Sequence, residues 1–223
     1  MKNRLLAILL TLSMVLSLAI VPATAGENKT GISFIPVSFT EKSDSITEGI
    51  ELSELNKGDI FALKVLLRNP SAKQFYVRAY DLWIQYNEDV LEQYTFKSGR
   101  KTVGPVVDGE MFAPQKNIEN GIVKISGADA DGTMLDAKGG EYDSAVVVYV
   151  LFKVKSDVES CLCNFALVGS SNKIYGAETE EDTSKNPLSG VTFDVNTAIT
   201  VNGVTPTINT VSLDKSSVTV NGT

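Results

Sequence analysis

Residues 80–92 read YDLWIQYNEDVLE, and the way this stretch alternates decides the fold. Tyr80, Leu82, Ile84 and Tyr86 fall on one side of an extended chain, while Asp81, Trp83 and Gln85 fall on the other. Asn87-Glu88-Asp89 then supplies turn chemistry, and Val90 and Leu91 return to the core. A strand with one apolar face needs a second layer to cover it, so the segment predicts a two-layer β fold. Recognition, if it uses this strand, belongs on the outward row of Asp81, Trp83 and Gln85.

The chain around this strand reads the same way. Residues 26–201 number 176, enough for one sandwich with a full core, and hold no helix-length stretch of 3.6-residue periodicity. Short alternating runs separated by Gly, Asn, Asp and Ser recur instead. Strands are predicted at 32–39, where Pro36 pushes the strand to an edge, and at 60–68, with Phe61, Leu63, Val65 and Leu67 on one face. Further strands follow at 90–96, 122–126, 144–155, 161–168 and 191–201. The apolar run 145–152 is unbroken, which points to a strand covered on both sides. Residues 41–57 read as a long polar loop or hairpin extension, and 129–143 as a Gly-rich acidic loop. The fold class expected is all-β: a two-sheet jelly-roll β-sandwich of about eight or nine strands.

Two short motifs carry a family resemblance. Lys57-Gly58-Asp59 leads into the alternating strand ending at Asn69, and Tyr86-Asn87-Glu88-Asp89-Val90-Leu91-Glu92 gives an aromatic, a turn and Val-Leu-Glu. In these the chain resembles the cohesin family over roughly residues 30–201. The resemblance implies a non-catalytic β-sandwich module of secreted cellulosomal scaffolds, which captures dockerin modules in polysaccharide-degrading assemblies. It also implies that the Asp81 strand belongs to the docking sheet, through an Asn-x-Asp pair that hydrogen-bonds the partner. Aligning Asp81 with that aspartate puts Ala79 where the family has asparagine, and a later family glutamate falls near Ala128.

The ends of the chain have their own signals. Lys2 and Arg4 precede an apolar run from 5 to 21, and Ala23-Thr24-Ala25 is a small-residue cleavage site, so residues 1–25 read as a secretory signal peptide. Removing Lys2 and Arg4 from 20 basic residues leaves 18 against 27 acidic ones, a net charge of −9. That charge disfavours nucleic acid and anionic lipid and suits a monomeric extracellular module with no membrane span after cleavage. Residues 202–209 read as a Pro-stiffened linker. Residues 210–223 look like the opening of a bacterial immunoglobulin-like repeat, so the chain is expected to be the N-terminal piece of a longer multi-module protein or a truncated product.

Little in the sequence points to chemistry. With no histidine in the chain, a Ser-His-Asp triad, a Cys-His dyad and a histidine-ligated zinc are excluded. An EF-hand starting at Asp129 would need glycine at Met134 and glutamate at Gly140. A looser calcium site adding Asp136, Glu141 and Asp143 is the alternative to a solvated loop, and the solvated loop is the reading adopted. Cys161 and Cys163 share one strand face with Phe165 and Leu167, so two buried thiols are expected rather than a strained bridge. No carboxylate pair stands out from the rest. The chain is therefore expected to be no enzyme and to hold no cofactor or metal. Asp81, Trp83 and Gln85 are the candidate binding residues, for a dockerin-type module or for polysaccharide stacked on Trp83. Against both stands a Trp83 packed beneath a neighbouring loop, in a module that only spaces its neighbours.

Overall fold

Tyr80, Leu82, Ile84 and Tyr86 are all buried, Gln85 is exposed, and Asp81 and Trp83 are half-exposed on the opposite side, so the alternation holds in three dimensions. The structure is a computed structural model that describes residues 31–203 except Ser171, Lys185, Thr192, Asp194 and Val195. The expected signal peptide, most of the linker and the immunoglobulin-like start lie outside the described residues.

Sixteen strands and no helix occur among the described residues. In chain order they are β1 (Ile32–Glu41), β2 (Ile46–Glu51), β3 (Glu54–Asn56), β4 (Ile60–Arg68), β5 (Phe75–Gln85) and β6 (Leu91–Gln93). There follow β7 (Phe96–Ser98), β8 (Lys101–Val103), β9 (Val106–Asp108), β10 (Gln115–Glu119) and β11 (Ile122–Leu135). The last are β12 (Ser144–Val154), β13 (Cys161–Leu167), β14 (Lys173–Ala177), β15 (Asn186–Pro187) and β16 (Asn196–Asn202). All but β7 and β8, which pair as a separate hairpin, form the two-sheet jelly-roll sandwich that the pattern calls for. One sheet runs β2-β1-β4-β12-β6, with β9 also on β12. The other runs β10-β11-β5-β13-β16-β3, with β14 on β5 and β15 on β14.

Each predicted strand overlaps an observed one, the last only from Asn196 on, and the count rises because eight short strands join them. These lie in polar or irregular stretches that show no apolar face. β2 is one: it is an edge strand wet on most of its length, so residues 46–51 carry no buried stripe. The same stretch then crosses to the other sheet, where β3 pairs parallel with β16. The span 90–96 is divided between β6 and the separate β7–β8 hairpin. Pro36 sits where β1 is an edge on one side, since pairing with β2 starts only at Val37. The acidic loop expected at 129–143 is shorter than that: β11 runs on to Leu135, with residues 129–132 bulging between two paired segments.

Between the sheets lies the main core, built from Phe61, Leu63, Val65 and Leu67 of β4, Leu82 and Ile84 of β5, Val150 and Phe152 of β12, and Cys163 and Phe165 of β13. A second, smaller cluster lies on the outer side of the six-stranded sheet: Val37, Ala62, Val107 and Leu151 are covered by Phe96 and Val103 of the β7–β8 hairpin. This explains the unbroken run in β12. Its residues are buried on both faces, Phe152 inward and Leu151 outward. Truncating Phe152 to alanine should lower the unfolding free energy by about 3–5 kcal/mol in urea titration, because rigid sheets collapse poorly into the void.

Farther along the same outer face, Glu48 accepts from Lys64 Nζ at 2.6 Å and from the Tyr149 hydroxyl at 2.6 Å. Burial pushes the Glu48 carboxyl up, but those two hydrogen bonds and the Lys64 charge outweigh it and hold the group below its ordinary 4.5. A depressed carboxyl contributes stability above that ordinary value and loses it as pH falls through the folded value. Glu48→Gln should therefore be the less stable protein by up to about 1 kcal/mol near neutrality, with the gap closing on acidification below 4.5. Paired urea titrations across that range measure it.

Candidate functional site

The two outer faces of the sandwich differ. One is roofed in part by the β7–β8 hairpin, as described above. On the other, the eight-stranded sheet exposes a row from each strand: Asn117 and Gln115 on β10, Lys124 and Ser126 on β11, Gln85 on β5, Leu162 and Asn164 on β13, and Thr200 on β16. Apart from Lys124, which is half-buried, these are exposed side chains, and Leu162 among them is a large apolar one, 47% exposed.

Trp83 stands near the middle of this face and is held from several directions. Its backbone N–H donates to Asn172 Oδ1 at 2.7 Å, and its carbonyl accepts from the Val168 N–H at 2.9 Å. Asn172, only 5% exposed, in turn donates its Nδ2 to the carbonyls of Val168 and Gly169. That side chain ties the turn between β13 and β14 to β5. The indole Nε1–H donates to Asp81 Oδ1 at 3.2 Å, a contact that two residues of spacing on one strand face permits. Lys124, directly across the ladder from Trp83, places its ammonium 4.7 Å from the ring centroid. Its Nζ is also 2.5 Å from Glu119 Oε1, and this hydrogen bond and charge hold the Glu119 carboxyl below its ordinary value.

The three outward residues expected from the sequence therefore do share one face, and two of them touch. Gln85 lies at the end of the row, across from Ile122 on one side and Ala166 on the other. Ala79 and Ala128 turn out to be direct partners across the β5–β11 ladder. The two alanines thus form one small apolar seat on this ladder. Beyond it both ladders break register around Arg78, which is 3% exposed. The Arg78 guanidinium donates to the Glu180 carbonyl, while its Nε has no partner. Gly132, at φ +73°, closes against it, where a Cβ would come within 3.1 Å of Arg78 Cγ and 2.8 Å of the Val77 carbonyl oxygen.

Asn172, Lys124 and Tyr175 went unnoticed in the sequence. Tyr175, half-buried, lies across from Ala79 on the same face. Alternation in the stretch KIYGA marks β14 weakly, and nothing local reveals that Asn172 bonds a strand ninety residues earlier. Other expectations meet the structure as follows. Asp136 Oδ2 accepts from the Tyr142 N–H and Asp143 Oδ2 from the Gly139 N–H, so these carboxylates close their own loop. Both cysteines are free; burial drives the Cys163 thiol up to about 12, against a hydrogen bond from Asn87 and with a further push from Cys161. Such a thiol is neither a nucleophile nor a ready metal ligand at neutral pH.

The outer face of the eight-stranded sheet thus carries Trp83, held by Asp81 and Lys124, among mostly polar side chains. The family described as the cohesin domain matches residues 50–201, more than half of the chain, and the chain belongs to that family. Among similar solved structures is the seventh ScaB type I cohesin of Pseudobacteroides cellulosolvens, at 18% identity, covering 72% of this chain and 95% of that one with a TM-score of 0.48. A non-cellulosomal cohesin of Archaeoglobus fulgidus has 18% identity, 76% and 90% coverage and a TM-score of 0.44. The sixth cohesin of scaffoldin B of Acetivibrio cellulolyticus, solved with a Cel5 dockerin, has 17% identity, 78% and 100% coverage and a TM-score of 0.45. No curated protein matches the chain.

Replacing Asn172 by alanine should cost about 1–3 kcal/mol of stability in urea titration, since it strands the Trp83 N–H and two turn carbonyls. As Trp83 is the single tryptophan, its emission should also shift to the red in that variant.

Proposed function

We propose that this cohesin-family chain is a non-catalytic binding module of a secreted or surface-attached multi-modular protein, which docks dockerin-type partners on the outer face of the eight-stranded sheet. The module is residues 26–201, after a signal peptide at 1–25 and before a linker at 202–209 and an immunoglobulin-like start at 210–223. Among the described residues no helix is long and apolar enough to cross a membrane. The partner's setting is taken to be extracellular polysaccharide breakdown.

One observation carries the reading: this sheet presents its outer side open, while the opposite sheet has its outer side partly roofed by the β7–β8 hairpin. A protein partner needs roughly 800 Å² of accessible surface on each side, which a broad sheet offers and an isolated ring does not. Asp81, Trp83 and Gln85 fall within that area, with Lys124 and Leu162 beside them. Trp83 is the residue type most enriched at energetic hot spots.

Direct stacking of polysaccharide on Trp83 has less support. A pyranose needs a free ring face, and the Lys124 ammonium sits over this ring.

An array of calcium-loaded dockerin modules, with insoluble cellulose as a parallel arm, tests the proposal. The expected result is saturable binding to at least one dockerin, weakened about 30-fold or more in Trp83→Ala, and no retention on cellulose. Retention on cellulose that Trp83→Ala abolishes, with every dockerin silent, would overturn it.

A further inference from the structure

The contacts around Trp83 separate residues that touch a partner from residues that only hold one that does. Asp81 spends Oδ1 on the indole N–H at 3.2 Å. Lys124 has its ammonium over the indole ring and against Glu119. The main chain of Trp83 is held at its N–H and its carbonyl by one turn, through Asn172 and Val168. A side chain restrained in this way has already lost the rotamer freedom that docking would otherwise remove, so its contact is worth more to binding. Asp81 and Lys124 direct these contacts at the indole itself, one at its N–H edge and one over its ring.

We infer that Asp81 and Lys124 are positioning residues for the Trp83 indole, and that the indole rather than the carboxylate makes the partner contact. The inference rests on the docking reading above for its second half only. The hydrogen-bond acceptor at Asp81 fixes where the indole edge points. The cation at Lys124 fixes the ring plane, and Glu119 keeps that cation in place. An exposed ion pair such as Lys124–Glu119 does little for stability by itself, so its place beside the ring fits a role in orientation.

Two measurements test this together. The first uses the single tryptophan without any partner: Asp81→Ala, which removes the acceptor, and Lys124→Met should each raise acrylamide quenching of Trp83 and lower its anisotropy, with the thermal midpoint nearly unchanged. Lys124→Arg should restore the wild-type signal, because a guanidinium also sits over an indole. Unaltered quenching and anisotropy in both variants would overturn the positioning role whatever the protein binds. The second is a double-mutant cycle against a calcium-loaded dockerin from the array. Asp81→Ala should weaken binding about three- to tenfold in the wild-type background, yet less than about twofold beside Trp83→Phe, which has no indole N–H to orient. An equal loss in both backgrounds would mean that Asp81 meets the partner itself, and would overturn the inference with the docking reading intact. Silence of every dockerin toward the wild-type module would instead remove the docking reading, and the contact half of the inference with it, while the fluorescence result stands separately.

Discussion

Four aromatic rings tie the two sheets together. Phe61 and Phe152 come from neighbouring strands of the six-stranded sheet, and Phe165 and Tyr86 from the opposing one. Tyr86 and Phe152 have ring centroids 4.8 Å apart, and Phe152 lies 5.9 Å from Phe165 and 5.8 Å from Phe61. Tilted rings at such separations pack better than stacked ones and bury large areas apiece. Because Tyr86 follows directly on β5, its burial sets the phase of that strand. Ile84, Leu82 and Tyr80 then turn inward, and Gln85, Trp83 and Asp81 outward. A register slip of one residue would put Trp83 in the core and Leu82 in water, so the make-up of the outer face depends on a packing contact made on the other side of the sheet.

The two outer faces show how one fold keeps one side for itself and presents the other. On the six-stranded sheet, outward residues such as Ala62, Val107 and Leu151 are apolar, and the chain folds its own hairpin over them. On the eight-stranded sheet the outward residues are mostly polar, so no internal cover is needed. What distinguishes that side from an ordinary wet surface is Trp83, an aromatic whose edge, ring face and main chain all have partners. The pairing of Ala79 with Ala128 gives the face a shallow apolar step beside it. On the docking reading proposed above, a partner would bring apolar surface to the centre and polar groups to the rim, the usual arrangement of a protein interface.

Much of the fold was legible in the sequence because local alternation reports burial directly. Period-two runs at Phe61–Leu67 and Tyr80–Tyr86 can be satisfied only by strands with one covered face, and the unbroken run 145–152 can be satisfied only by a strand covered twice. The outward placing of Asp81, Trp83 and Gln85 follows from the same period. β2, β3 and β14 were harder to read, since such short strands offer too few positions for alternation to show and are held by ladder bonds to other strands. The bulge at residues 129–132 hid the continuation of β11 for a related reason, as Asp129 to Gly132 look like loop and leave the ladder while Thr133 rejoins it.

By itself, then, the sequence settled the class of fold, the phase of the central strand and the residue types on its outer side, all of which are properties of neighbours along the chain. The tertiary structure alone decided that Asn172 clamps Trp83, that Lys124 lies over its ring, that Ala79 meets Ala128, and that one sheet is roofed while the other is open. Those are pairings across strands. Their partners are set by register and sheet order, which depend on the packing of the whole core and leave no mark at either residue alone.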